Sequence, residues 1–347
     1  MNAPSGKLTE VVTLPQPYLL FLGDLAEKSF AKTAFGLADW APDLCVGEYA
    51  LGDNGISVGL TPMTPAQAAE AGAKSMVIGV ANLGGLIADS WKAALIEALE
   101  AGLDIISGMH VRLASVPGVA DAAAQLGRRL IDVRTPPANI PVGTGRKRAG
   151  QRLLTVGTDC ALGKKYTALA LHRAFLTRGI DADFRATGQT GIMIAGGGIP
   201  MDAVISDFES GAAEMLSPDA HPAHWDIIEG QGSIFNPSYA AVSLGLLHGS
   251  QPDVFVVCHD PTRKTIIGVD GFEVPTIEEV VDMTIRLGKL TNPAIRCGGV
   301  SLNTSAFTEQ EARSLMENES RRLNGLPVAD PVRGGDAFDR LVANCLT

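Results

Sequence analysis

The chain has 347 residues, 46% of them apolar and 19% charged, so it can bury a large core, and its length points to about two domains. A net charge of −10 disfavours a nonspecific nucleic-acid binder, which needs a basic face. Five cysteines (Cys45, Cys160, Cys258, Cys297 and Cys345) stand singly without a C-x-x-C pair, which argues against structural zinc and a disulfide framework. No apolar run follows a basic N-terminal region, and no apolar stretch is long enough to span a bilayer. The expectation is a soluble cytoplasmic α/β protein with no membrane or nucleic-acid partner.

In chain order, "PYLLFLGD" (17–24) reads as a buried strand and "EKSFAKTAFGLADWA" (27–41) as the helix after it. "KSMVIGVAN" (74–82), "LDIISGMH" (103–110) and "RRLIDVR" (128–134) repeat the strand pattern. Between the first two of these, "LIADSWKAALIEALEAG" carries apolar positions at helical spacing and ends at Gly102. Strand and helix in alternation predict a parallel sheet with right-handed crossovers. The segment 135–151 breaks the rhythm with three prolines, three glycines and a basic cluster from Arg146 to Arg152. It reads as a connection between domains of residues 1–145 and 146–347, or alternatively as a functional loop.

The second half restarts with "RLLTVG" (152–157). Further strands are predicted in "DFRATG" (183–188), "AVISD" (203–207), "DIIEGQG" (226–232), "DVFVVCHD" (253–260) and "GGVSLNTS" (298–305). Each apolar run ends in polar or glycine residues, and in a parallel sheet such ends line the ligand crevice. The fold expected is therefore α/β with two doubly wound domains.

The first strand of this half runs into "GTDCALGKK", with the context of a phosphate loop: strand, glycine turn, then lysine opening a helix. A strict Walker A loop has glycine at position 158 and Ser or Thr at 165, and Thr158 and Lys165 stand there instead. The missing hydroxyl is the one that holds magnesium between the β- and γ-phosphates. A second ammonium in its place favours an anion bound without metal. Thr167 is a poorly placed substitute.

Other polar strand ends carry candidate chemistry. "ATGQTGIMIAGGGIPMD" (186–202) offers Thr187, Gln189 and Thr190 and reads as a ligand-facing loop. Asp207 and Glu229 are carboxylates at predicted strand ends, each with helix capping or plain solvation as the ordinary explanation. In "VFVVCHDPTRKT" (254–265), His259 and Asp260 are candidate general bases, while Arg263 and Lys264 can grip a carboxylate or phosphate. Arg112 follows the strand at 103–110, and Asn303 follows the last strand, where a turn is its default role.

The loop "GTDCALGKK" resembles the "GTDTxVGKT" loop of dethiobiotin synthetase, and "IIEGQGS" resembles that enzyme's "VEGAGG" segment. Together with "ATGQTGIMIAGGG" and "SLNTS", these motifs make the whole chain resemble a bacterial and archaeal family that includes D-glutamate N-acetyltransferases. That resemblance implies a Rossmann-like N-terminal domain and a P-loop C-terminal domain. It also implies acetyl transfer from acetyl-CoA to the amine of D-glutamate, in D-amino-acid catabolism. Under it, Gly157, Thr158, Asp159, Cys160, Gly163, Lys164, Lys165 and Asn303 would hold the coenzyme, with no metal required. A base among His259, Asp260 and Glu229 would deprotonate the amine, while Thr187, Gln189, Thr190, Arg263, Lys264 and Arg112 would bind substrate. A homo-oligomer is expected. The alternatives are an ATP- and magnesium-dependent ligase or kinase of the dethiobiotin synthetase type, and a nucleotide sensor without turnover.

Overall fold

The computed structural model describes residues 12–24, 27–52, 56–80 and 85–347. They group into two compact units. One reaches Pro137 and also takes in Gln189–Ala203, and the other holds Ala138–Gly188 and Val204–Thr347.

In the first unit the elements run β1 (Tyr18–Gly23), α1 (Lys32–Trp40), β2 (Cys45–Ala50), α2 (Pro65–Glu70), β3 (Ser75–Ile78), α3 (Lys92–Glu100), β4 (Asp104–Ser107), α4 (Val119–Leu126) and β5 (Leu130–Asp132). Among the described residues the strands form a parallel sheet in the order β2-β1-β3-β4-β5. Strands β1, β3 and β4 are buried throughout, which is why they read as continuous apolar runs rather than alternating ones. Trp91 covers one end of β1, meeting Phe21 edge-on at 5.7 Å and donating to Asp24 Oδ1 at 2.7 Å.

Strand β2 escapes the sequence pattern because Gly47 and Glu48 interrupt its apolar run. Both have local reasons. A side chain at Gly47 would strike the Thr61 carbonyl and Met63, and buried Glu48 accepts the amides of Val58 and Leu60 at 2.8 and 3.3 Å.

The second unit runs β6 (Gln151–Gly157), α5 (Lys164–Thr177), β7 (Ala182–Arg185), α7 (Glu209–Leu216), β8 (Trp225–Ile228), α8 (Ala240–Ser250), β9 (Val254–His259), α9 (Ile277–Gly288), β10 (Arg296–Leu302), α10 (Glu309–Arg322), β11 (Val328–Ala329) and α11 (Gly335–Leu346). Its described strands form a parallel sheet in the order β11-β10-β9-β6-β8-β7. Leu153, Phe175, Trp225, Val256 and Leu341 lie in one core that joins strands and helices. Strand order reverses around β6, so the carboxyl ends of β8, β6 and β9 adjoin where an open α/β sheet places its ligands.

Two expectations are corrected. The segment 186–202 is not a loop throughout, because Gln189–Ala195 forms helix α6, counted with the first unit. There Tyr18 donates to the Met193 carbonyl at 3.0 Å, and the Thr33 and Thr190 hydroxyls meet at 3.2 Å. Ile192 and Met193 are buried, which explains the apolar residues that looked out of place in a loop. The predicted strand at 203–207 is absent. Ile205 is 70% exposed, and Ser206–Phe208 is a short helical turn leading into α7, with Asp207 exposed on it.

The basic segment before β6 is not a free loop either. Arg152 is fully buried, donating to Ser217 Oγ at 2.7 Å and to the carbonyls of Ala149 and Pro218 at 3.0 and 2.8 Å. Arg148 is likewise buried and donates to the carbonyls of Ser217 and Gly249, both at 2.7 Å. Among the described residues no helix is long and apolar enough to cross a membrane.

Candidate active site

Strand β6 ends at Gly157, residues 158–163 turn, and Lys164 opens α5. The turn needs left-handed backbone at Ala161 (φ 56°) and Gly163 (φ 99°). A Cβ on Gly157 would lie 3.0 Å from the Asp159 carbonyl and 3.2 Å from Lys164 Nζ, so the loop closes only over glycine. The turn thus leads into the N-terminus of α5, the arrangement that suits an anion in a phosphate loop.

Lys164 is buried and its ammonium donates to the Asp159 carbonyl at 2.8 Å. Burial pulls its pKa down, opposed by the nearby acidic groups, Asp159 and Glu229 among them. Lys165 lies over the Tyr166 ring, 4.6 Å from its centroid. The Thr167 hydroxyl is engaged at the helix start: it donates to the Gly163 carbonyl at 3.1 Å and lies 2.8 Å from Ser301 Oγ.

Asp159 is wholly buried and fixes the loop's shape. Its Oδ1 accepts the Cys160 amide at 2.7 Å and Asn236 Nδ2 at 3.0 Å, and its Oδ2 accepts Arg263 Nη1 at 2.9 Å and the Ile267 amide at 2.8 Å. Burial alone would raise its pKa, but these donors outweigh burial and leave it below the ordinary carboxylate value. Asn236, fully buried after β8, carries no distinctive signal in the sequence. An isolated Asn in "IFNPSY" reads as a turn former, and only the folded chain shows that it reaches Asp159.

At the end of β9, His259 Nδ1 lies 2.9 Å from Thr158 Oγ1. Burial lowers the His259 pKa, opposed by the negative charges of Glu319 and Asp260. The imidazole is therefore neutral at pH 7. It borders an open groove of about 400 Å3 with Lys264, Thr276, Glu319 and Arg322 along its walls. Glu319 and Arg322 come from α10, where the sequence gives no sign of them because a polar helix face is ordinarily just solvated. Arg322 pairs with Glu278 and, at 2.7 Å, with Glu319.

Glu229, one residue beyond β8, is also buried. Its Oε2 accepts the amides of Thr187 and Gly188, both at 3.0 Å, while Thr187 Oγ1 donates to its carbonyl at 2.7 Å. Burial raises the Glu229 pKa, countered by those two amides and by the charges of Lys165 and Lys164. Asp260 accepts the Thr262 amide and hydroxyl at 2.9 and 2.6 Å and Asn303 Nδ2 at 3.2 Å. Asn303 also accepts the Ser305 amide, so both residues shape the turns that flank the groove.

The second unit thus brings together Gly157, Thr158, Asp159, Cys160, Gly163, Lys164, Lys165, Thr187, Glu229, His259, Asp260, Arg263, Lys264 and Asn303 at one sheet edge. Gln189, Thr190 and exposed Arg112 belong to the first unit, where Gln189 covers Gly108. At the opposite edge of the second sheet, Asp183, His224 and Asp226 place potential ligand atoms within 4.8 Å of one another. There Arg185 pairs with Asp226 at 2.6 Å and Asp183 at 3.0 Å, which already supplies a counter-charge.

Residues 141–342 match the family described as a domain of unknown function, DUF1611_C, a P-loop domain. Residues 45–136 match its companion, DUF1611_N, a Rossmann-like domain. A D-glutamate N-acetyltransferase of Tritonibacter scottomollicae is 48% identical over 319 residues, covering 92% of this chain and 96% of the relative. One from Pseudoalteromonas sp. is 46% identical over 328 residues, covering 94% and 98%. A crystal structure of a DUF1611 family protein from Anabaena variabilis superposes with a TM-score of 0.83 at 31% identity, covering 95% of this chain and 99% of that one. The loop, the two α/β units and these matches together place the chain in the DUF1611 family, with a Rossmann-like N-terminal domain and a P-loop C-terminal domain.

Proposed function

We propose that this protein is a D-glutamate N-acetyltransferase that uses acetyl-CoA and serves D-glutamate breakdown. The observation that carries the reading is the near full-length identity to two relatives of that name. The site's chemistry agrees with it. Bound acetyl-CoA supplies an activated thioester, and its phosphates match an anion cradle built from a buried lysine and a helix N-terminus. Lys165 stands in place of the magnesium hydroxyl, and the Thr167 hydroxyl is turned to the Gly163 carbonyl and Ser301. Acyl transfer needs neither hydroxyl, whereas γ-phosphate chemistry needs one.

The acceptor amine must lose a proton to attack a thioester. His259 is the base of choice, because it is neutral at pH 7 and borders the groove. Asp260 and Glu229 accept hydrogen bonds that order the neighbouring turns, and we assign them to positioning. Lys264, exposed on the groove wall, offers a cation to an acidic substrate. Arg263 is committed to Asp159 and supports the loop.

Incubation with acetyl-CoA and a panel of D- and L-amino acids, followed by free thiol release, tests the reading. Thiol release with D-glutamate, unaffected by EDTA, is expected. No release with any acceptor overturns it.

A further inference from the structure

The open groove beside His259 is walled by charges that differ in how far they are already engaged. Arg322 pairs with Glu278 through Nη1, while its Nε and Nη2 both donate to one oxygen of Glu319, Oε2, at 3.0 and 2.7 Å. One guanidinium thus serves two carboxylates, and the cluster keeps a negative charge. Among the described residues no donor reaches the other oxygen of Glu319, Oε1. Lys264 is exposed on the same groove and forms no ion pair among the described residues.

A second carboxylate, Glu273, also lines the groove, but it is exposed and nothing holds it. The Glu319 side chain is only 23% exposed and is fixed by its two donors. A carboxylate already immobilised and partly out of water gives up less to grip a cation than a free, solvated one. Glu319 is also the group whose negative charge bears most on His259.

We propose that Glu319 Oε1 receives the ammonium of an amino-acid substrate beside His259, while Lys264 meets one of its carboxylates. Glu319 then makes the groove select an acidic amino acid over a plain dicarboxylate. That this amine is an acyl acceptor rests on the acyl-transfer reading. Under it, the ammonium gives one proton to neutral His259, whose Nδ1 is engaged with Thr158 Oγ1 at 2.9 Å and whose Nε2 remains. The amine bonds to the acyl carbon as the carbon–sulfur bond breaks. The imidazolium returns its proton to the departing thiolate, and the second proton lost by nitrogen goes to solvent. Glu319 stays ionised throughout and favours the imidazolium. The other charges bearing on the ring are Asp260 and Lys264 after β9 and Arg322 on α10. Helix α9 presents uncharged Thr276 and Ile277 to the groove, with Glu273 just before it.

Calorimetry with D-glutamate and with glutarate, which has both carboxylates but no amine, reads ammonium recognition without turnover, with coenzyme A present. The wild type should bind D-glutamate at least about tenfold more tightly than glutarate. Glu319→Gln should lose most of that preference and leave glutarate affinity within a few-fold. Lys264→Met should weaken both ligands, and Glu273→Gln should keep the preference. In turnover, Glu319→Gln should raise the KM for D-glutamate but not for acetyl-CoA. It should also move the acidic limb of kcat/KM to lower pH, because losing the carboxylate lowers the His259 pKa. No preference in the wild type, or a full preference in Glu319→Gln, overturns the proposal. If Glu319→Gln does not fold, Glu319→Asp keeps the charge but draws it back, and an undiminished preference there overturns it equally. A preference lost in Glu319→Gln with no thiol release from any acceptor sinks the acyltransferase reading alone. Thiol release with the preference unchanged sinks this proposal alone.

Discussion

Arg263 Nη1 lies 2.9 Å from Asp159 Oδ2, joining the turns that follow neighbouring strands β9 and β6. The carboxylate is buried and its partner is partly exposed, so the pair clamps the phosphate loop from inside the sheet edge. Arg263→Ala leaves Asp159 with three of its donors and should destabilise the protein by about 1–3 kcal/mol. Coenzyme affinity should fall with stability, which thermal melting and calorimetry would show together. An unchanged melting temperature would mean that the clamp contributes nothing.

Lys164→Ala removes the buried ammonium from the cradle. Coenzyme A should bind at least about tenfold more weakly, a loss of roughly 1.4 kcal/mol or more. Isothermal calorimetry at fixed ionic strength checks this. Equal affinity for wild type and variant would move the phosphate site elsewhere.

Arg152 should prove among the least tolerant basic positions. It fills a cage of carbonyls and the Ser217 hydroxyl, and its charge faces buried Asp226. Arg152→Met is expected to cost at least about 3 kcal/mol in urea unfolding, because it strands those acceptors and an opposing carboxylate. A variant as stable as wild type would contradict the packing described.

His224 gives stability a pH dependence. Burial pulls its pKa down, but Asp181 at 2.9 Å and Asp226 at 3.3 Å push it above the ordinary value. A raised folded pKa contributes stability that is full below about pH 6.5 and is lost as pH rises through the folded value. His224→Gln should therefore narrow the difference in melting temperature between pH 6 and pH 8. An identical difference in both proteins would show that His224 does not titrate with folding.

The strands at the candidate site are legible because parallel strands buried on both faces read as unbroken apolar runs, as in "LLTV" and "VFVVC". The phosphate loop was legible because its glycines and lysine have fixed spacing. Strand β2 was not, since Glu48 and Gly47 satisfy contacts with residues 58–63 that no local pattern reveals. Helices α9 and α10 did carry a readable signal: Thr276 with Glu279 and Thr308 with Glu311 form capping boxes. Helix α6 is hidden by Gly191 within it and by the glycines on either side, and its apolar residues are explained by packing within the first unit.

By itself, the sequence determined the α/β class, the phosphate loop and the replacement of its magnesium hydroxyl by Lys165, because these depend on local periodicity and spacing. Tertiary structure decided which charges are spent and which are open. Arg263 turns inward to Asp159, Arg152 is enclosed by carbonyls, and Asn236 arrives from 77 residues away to finish the loop. It also decided that Thr158 and His259, 101 residues apart, share one hydrogen bond. A side chain's charge is written in the chain, but its partner is chosen by burial, which obliges every enclosed polar group to find one.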